Sequence, residues 1–173
     1  MDITQKPLGL IDPNNLKADE LFLADVHYEM FPDKEVKLFK KANHLVVWTS
    51  FTSLFTNNRR HNQDEFPLKS LPWFIDTIEN KFWNHKPNPN SLPGEVNEVT
   101  NINGEKIGIN PMRHCCAENL FGYSFWNKSR TPYIGRTPPQ NWQIPRYMLE
   151  QGLMDELKRI STELGLKRYE PFK

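Results

Sequence analysis

Cys115 and Cys116 are the only thiols in this 173-residue chain, and they are neighbours. Across one trans peptide their Cα atoms stand about 3.8 Å apart, too close for an unstrained disulfide. A disulfide framework is therefore excluded, and a reducing, cytoplasmic compartment is expected. The eight glycines leave no Walker loop, no Gly-x-Gly-x-x-Gly turn and no Gly-x-Ser-x-Gly elbow. No apolar run approaches the roughly 20 residues that cross a bilayer. The stretch Met1-Asp2-Ile3-Thr4-Gln5-Lys6 lacks the basic-then-apolar order of a secretory signal. No membrane partner and no cofactor are expected on these grounds. A net charge of +1 selects no partner class by itself.

What is present points to a globular chain. Hydrophobic residues make up 38% and aromatic residues 12%, enough to bury a core without metal or disulfide staples. A single domain is expected from the length. Fourteen prolines and seventeen asparagines cut the chain into short pieces, with no repeat and no heptad pattern. Asn127-Lys128-Ser129 is a formal glycosylation acceptor that means little without a signal segment.

Local patterns then place elements. Asp12-Pro13-Asn14-Asn15 is a turn. Ala18, Glu20 and Leu21 favour a helix over Leu16–Phe31, while alternation of Phe22, Ala24, Val26, Tyr28 and Met30 fits a strand; helix is preferred and strand stays open. Asp33 is read as capping a short helix at Lys34–Lys41. Leu45–Phe55, rich in β-branched and aromatic residues, is the best strand. Asn57–Glu65 reads as a polar loop. Ser70, Pro72 and the stripe Leu71, Phe74, Ile75, Ile78 and Phe82 predict a helix over 70–83. The Pro- and Asn-rich stretch 84–94 is an internal loop. Asn103-Gly104 between Val99–Ile102 and Glu105–Ile109 predicts a hairpin. Leu120–Trp126 is a further strand, Thr131–Pro145 is irregular, and Leu149, Leu153, Leu157, Ile160 and Leu164 predict a helix from Pro145 that Gly165 ends. The fold class expected is α+β: an antiparallel sheet packed by two or more helices, with a long C-terminal helix.

Charge is uneven. Residues 106–149 carry six basic residues against Glu118 alone, whereas residues 1–66 carry eight bases against ten acids. The basic segment is also aromatic. Arginines neutralise phosphates and flat rings stack on bases, so Arg113, Tyr123, Trp126, Lys128, Arg130 and Arg136 are the candidate surface for single-stranded DNA or RNA. Aromatics on a strand are more often core than platform. Arg59-Arg60-His61 is a second basic stretch, offset at once by Asp64-Glu65.

Arg113-His114-Cys115-Cys116-Ala117-Glu118 is the most reactive hexad. A nearby base or cation would activate a thiolate. Adjacent side chains on a strand point apart, so His114 beside Cys115 does not make a dyad. On a helix His114 and Glu118 would share a face, but further metal ligands are missing and no metal is expected. The His-x-Glu and Cys-x-x-Cys pattern of zinc deaminases is absent. Buried, structural cysteines are the default.

No family is recognised over a usable length. The order of strand, hairpin-like loop and a helix opening Phe66-Pro67-Leu68-Lys69-Ser70-Leu71-Pro72-Trp73-Phe74-Ile75 resembles sheet-plus-helix nucleic-acid binders of the PUR type over residues 45–83. It offers no motif that assigns a role to a residue. Three classes of function follow: a single-stranded nucleic-acid binder is favoured, a protein-interaction or inhibitor module without catalysis is the alternative, and a small enzyme using His114, Cys115 or Glu118 is third. Non-enzymes are favoured.

Overall fold

The computed structural model describes residues 4–84, 97–135 and 137–170. It is α+β, with two antiparallel four-stranded sheets and a C-terminal helical segment. Among the described residues no helix is long and apolar enough to cross a membrane. The chain divides into two compact units, Met1–Leu68 with Asn127–Trp142, and Lys69–Trp126 with Gln143–Lys173.

The first unit is built on a meander of β1 (Glu20–His27), β2 (Glu35–Lys41), β3 (His44–Thr52) and β4 (Arg59–Pro67), paired in sequence order. β3 is the strand expected from its composition. The helix preferred over Leu16–Phe31 is not formed; the alternating reading is correct for β1, with Ala24, Val26 and Tyr28 buried. The helix at Lys34–Lys41 is also a strand. There Val36 and Leu38 are buried, and Asp33 accepts the Thr52 N–H at 2.8 Å instead of capping a helix. The expected polar loop at Asn57–Glu65 is mostly β4. Its charged residues mislead because Gln63, Asp64 and Glu65 are buried and satisfied by distant groups. Ile11 from the irregular lead-in packs on Phe39, Val46 and Trp48. Buried Glu20 and Lys41 pair at 2.8 Å. Burial pushes the Glu20 carboxyl up, but the Lys17 N–H and the Lys41 ammonium outweigh it and hold it below its usual range.

The second unit opens with α1 (Ser70–Asp76), which continues into a wider-wound π-helical stretch at Thr77–Trp83. The expected loop 84–94 lies outside the described residues apart from Asn84. The second sheet has the order β5 (Glu98–Ile102), β6 (Glu105–Met112), β7 (Gly122–Asn127) and β8 (Gln140–Pro145), and the last two strands carry the chain across the division between units. The Asn-Gly hairpin forms as expected, with Asn103 at φ 50° and Gly104 at φ 81°. Part of the segment read as irregular is β8. Gly108 lies against Trp126, whose indole donates to Asn110 Oδ1 at 2.9 Å. Phe74 of α1 meets Phe125 of β7 with ring centroids 4.8 Å apart.

The C-terminal segment is helical from 146 to 163 but not continuous. α2 (Arg146–Met148) leads into a π-type turn, Leu149–Leu153, that holds a kink before α3 (Met154–Glu163): Gln151 leaves the helical region and Gly152 takes φ 128°. Leu149, Leu157 and Ile160 are buried. Gly165, at φ 66°, follows the end.

Candidate functional site

The reactive hexad forms a loop in the second unit. Cys115 is buried, and its thiol points to Tyr123 O at 3.8 Å. Cys116 is half-buried at φ 63°; its N–H donates to Gln143 Oε1 at 2.9 Å. His114 is exposed, and its Nδ1 accepts the Asn119 N–H at 3.0 Å. A neutral imidazole held this way carries its proton on Nε2, so it offers a donor rather than a base. His114, Cys116, Glu118 and Gln143 line a shallow, open depression. Among the described residues no three His, Cys, Asp or Glu side chains are placed to hold a metal ion. The loop is thus a turn stitched to Gln143, with one thiol sequestered and one histidine oriented as a donor.

Of the six residues of the basic, aromatic segment, three are buried. Tyr123 is 1% exposed and Trp126 is 5% exposed, so neither ring offers a face on which a base could stack. Their sequence signal was core packing: Tyr123 lies 5.5 Å from Phe82, ring to ring. Arg130 is also buried. Its guanidinium donates to Lys6 O and Gln5 Oε1, each at 3.0 Å, and lies 3.7 Å from Glu65. Arg113 and Lys128 are exposed, and Arg136 lies outside the described residues.

Arg130 belongs to a buried network that the sequence did not disclose. Glu65 accepts from Tyr133 Oη at 2.7 Å, from Gln63 Nε2 at 2.9 Å and from the Leu8 N–H through both oxygens. Tyr133 in turn accepts the Gly9 N–H at 2.7 Å. Burial, and then the bond to Glu65, pushes the Tyr133 phenol well above its usual range. The adjacent Asp64 accepts the Asn141 N–H at 2.9 Å and Asn62 Nδ2 at 3.2 Å. Burial without a bonded cation pushes its carboxyl up to about 7. Every group in this network is occupied by another part of the chain. It fastens residues 5–11 and 127–142 to β4.

The exposed chemistry lies at the end of the same sheet. The connection between β3 and β4 is a tight turn in which Asn57 N–H donates to Ser53 O at 2.8 Å and Ser53 N–H to Asn58 O at 2.9 Å. Asn57 supplies the positive φ, 55°, that the turn needs. Leu54 and Phe55 are 98% and 100% exposed on this turn. Arg59, at the start of β4, is tied to Asp33 at 2.8 Å, while Arg60 is exposed. Sequence reading extended the β3 strand through Phe55, which hid the pair; the signal was two large apolar residues in an otherwise polar Ser-Leu-Phe-Thr-Asn-Asn turn.

No protein-family model matches this chain, and no curated protein matches it significantly.

Proposed function

We propose that the chain is a protein-docking module without catalysis, whose anchor is the Leu54–Phe55 tip of the β3–β4 hairpin. The observation that carries this reading is near-complete exposure of two adjacent large apolar side chains on a turn closed by its own hydrogen bonds. Scattered apolar residues on a surface are ordinary. Leu21 and Phe22 are also consecutive, but they are about half-exposed and Phe22 packs edge-on against Phe39; Leu54 and Phe55 are almost wholly exposed on a pre-ordered turn, so a partner's pocket gains apolar burial with little loop-ordering cost. Burying Leu and Phe fully is worth roughly 1.5–3 kcal/mol each, the scale of an interface hot spot. The same sum is small for a stable hold on a bilayer, where even one myristoyl chain binds marginally.

The nucleic-acid reading has less behind it. Three of its six residues are interior, and residues 1–66, which carry the exposed tip, hold more acids than bases. The enzyme reading has a buried Cys115 and a His114 oriented as a donor.

The test places a photo-reactive benzoylphenylalanine at position 55, with a control at the exposed position 163. Irradiation in cells that make the protein should give one discrete adduct at 55 and none at 163. Excess wild type should compete the adduct away, and excess Leu54→Ser/Phe55→Ser should not. No position-specific adduct, or equal competition by the variant, rejects the reading.

A further inference from the structure

Edge strands expose backbone donors and acceptors, and proteins block them. β4 is an edge of the first sheet. The Ser53 N–H to Asn58 O bond makes 53/58 a hydrogen-bonded pair, and the register continues it through Phe51↔Arg60, Thr49↔Asn62 and Val47↔Asp64. In an antiparallel ladder the intervening residues, Arg59, His61, Gln63 and Glu65, turn their backbone groups away from β3. At Glu65 that outer edge is blocked by side chains: its N–H donates to Gln140 Oε1 at 2.6 Å, and its carbonyl accepts from Asn127 Nδ2 at 2.8 Å. At Arg59–His61 no such cover exists among the described residues, and all three residues are exposed.

We infer that Arg59–His61 is a strand-addition site, which takes an extended, acidic segment of the partner protein beside the Leu54–Phe55 anchor. The inference rests on the docking reading and specifies the partner's form. Main-chain bonds to Arg59 and His61 supply affinity. Charge selects the acidic sequence. Arg59 is already compensated by Asp33, whereas Arg60 makes no ion pair among the described residues and would face a carboxylate across the new ladder. Charge also disfavours a second copy of this chain, since β4 paired with β4 would set Arg59 and Arg60 against their counterparts.

Random dodecamer peptides displayed on phage, selected against the immobilised full chain, test this. Enriched sequences are then measured as synthetic peptides by fluorescence anisotropy. The enriched set should be acidic and poor in proline. The outward N–H of His61 is isolated by two substitutions, since proline is tolerated on an edge where the N–H faces solvent. Both lose the ring that stacks on Trp48, 5.3 Å away. His61→Val keeps the N–H and should bind within about twofold of wild type, whereas His61→Pro should weaken binding about tenfold, the scale of one lost hydrogen bond. Arg60→Glu should weaken it comparably. Should His61→Pro fail to fold by circular dichroism, hydrogen exchange replaces it: bound peptide should slow exchange at the Arg59 and His61 amides. No enriched peptide, equal binding to His61→Pro, or unaltered exchange overturns the inference. A wild-type dimer that His61→Pro dissolves overturns it in favour of a second copy. Peptides sensitive only to Leu54→Ser/Phe55→Ser overturn the strand-addition site and leave the docking reading standing.

Discussion

Asp64→Asn should make the protein more stable at pH 8, although it removes a hydrogen-bonded carboxylate. Asp64 is buried, with neutral donors from Asn141 and Asn62 and no cation bonded to it. Its carboxyl is raised from 3.8 to about 7, first by burial. The folded chain therefore holds this proton more tightly than the unfolded chain. Stability from this group is complete below about pH 4 and is lost as pH rises to about 7, beyond which the loss is constant. A shift of about 3 units corresponds to about 4 kcal/mol at 1.36 kcal/mol per unit. Asparagine keeps an acceptor for the Asn141 N–H and has nothing to ionise. Allowing about 1 kcal/mol for a disturbed contact with Asn62, the variant should gain about 3 kcal/mol at pH 8 and be slightly less stable than wild type at pH 4. The assay is urea unfolding of both proteins between pH 4 and 8.5, read as their difference. That difference cancels groups titrating alike in both, such as Glu20, whose carboxyl is held low by its bonds to Lys17 and Lys41 against burial. A difference that stays flat with pH, or favours wild type increasingly toward pH 8, refutes the reasoning.

Gly108→Ala should destabilise the protein by about 1–3 kcal/mol or more, because the added carbon would stand 1.9 Å from Trp126 Cζ2. Chemical denaturation followed by tryptophan fluorescence measures it. Tyr133→Phe should cost about 1 kcal/mol, since it strips a part-buried hydrogen bond from Glu65 and an exposed one from the Gly9 N–H. Hydrogen exchange should show the loss at residues 8–11.

The legible parts of the fold were those decided locally. The β-branched run of β3 and the Asn103-Gly104 turn carry their own instructions, and the structure follows them. β2 and β4 were misread because their polar residues are satisfied from far along the chain. Lys41 meets Glu20, and Glu65 meets Leu8, Arg130 and Tyr133. Spacing alone cannot announce such partners. The same non-locality misdirected the site: Tyr123 and Trp126 have the composition of a stacking platform, but whether a strand's aromatics face water depends on what packs over them. Gly152 was visible in the sequence. The periodic leucines on either side outweigh it in the sequence; of these Leu149 and Leu157 are buried, whereas Leu153 and Leu164 are half-buried. Leu54 and Phe55 read as the end of a strand because β propensity does not mark where the chain turns.

The central claim is that Leu54 and Phe55 serve a partner and not the fold. Its most direct measurement is one variant, Leu54→Ser/Phe55→Ser, assayed for stability by urea unfolding and for its ability to compete the position-55 crosslink. Side chains this exposed lie outside the core, so the free energy of unfolding should stay within about 0.5 kcal/mol of wild type, and competition should be lost. A variant destabilised by about 2 kcal/mol or more, or one that competes as well as wild type, contradicts the account.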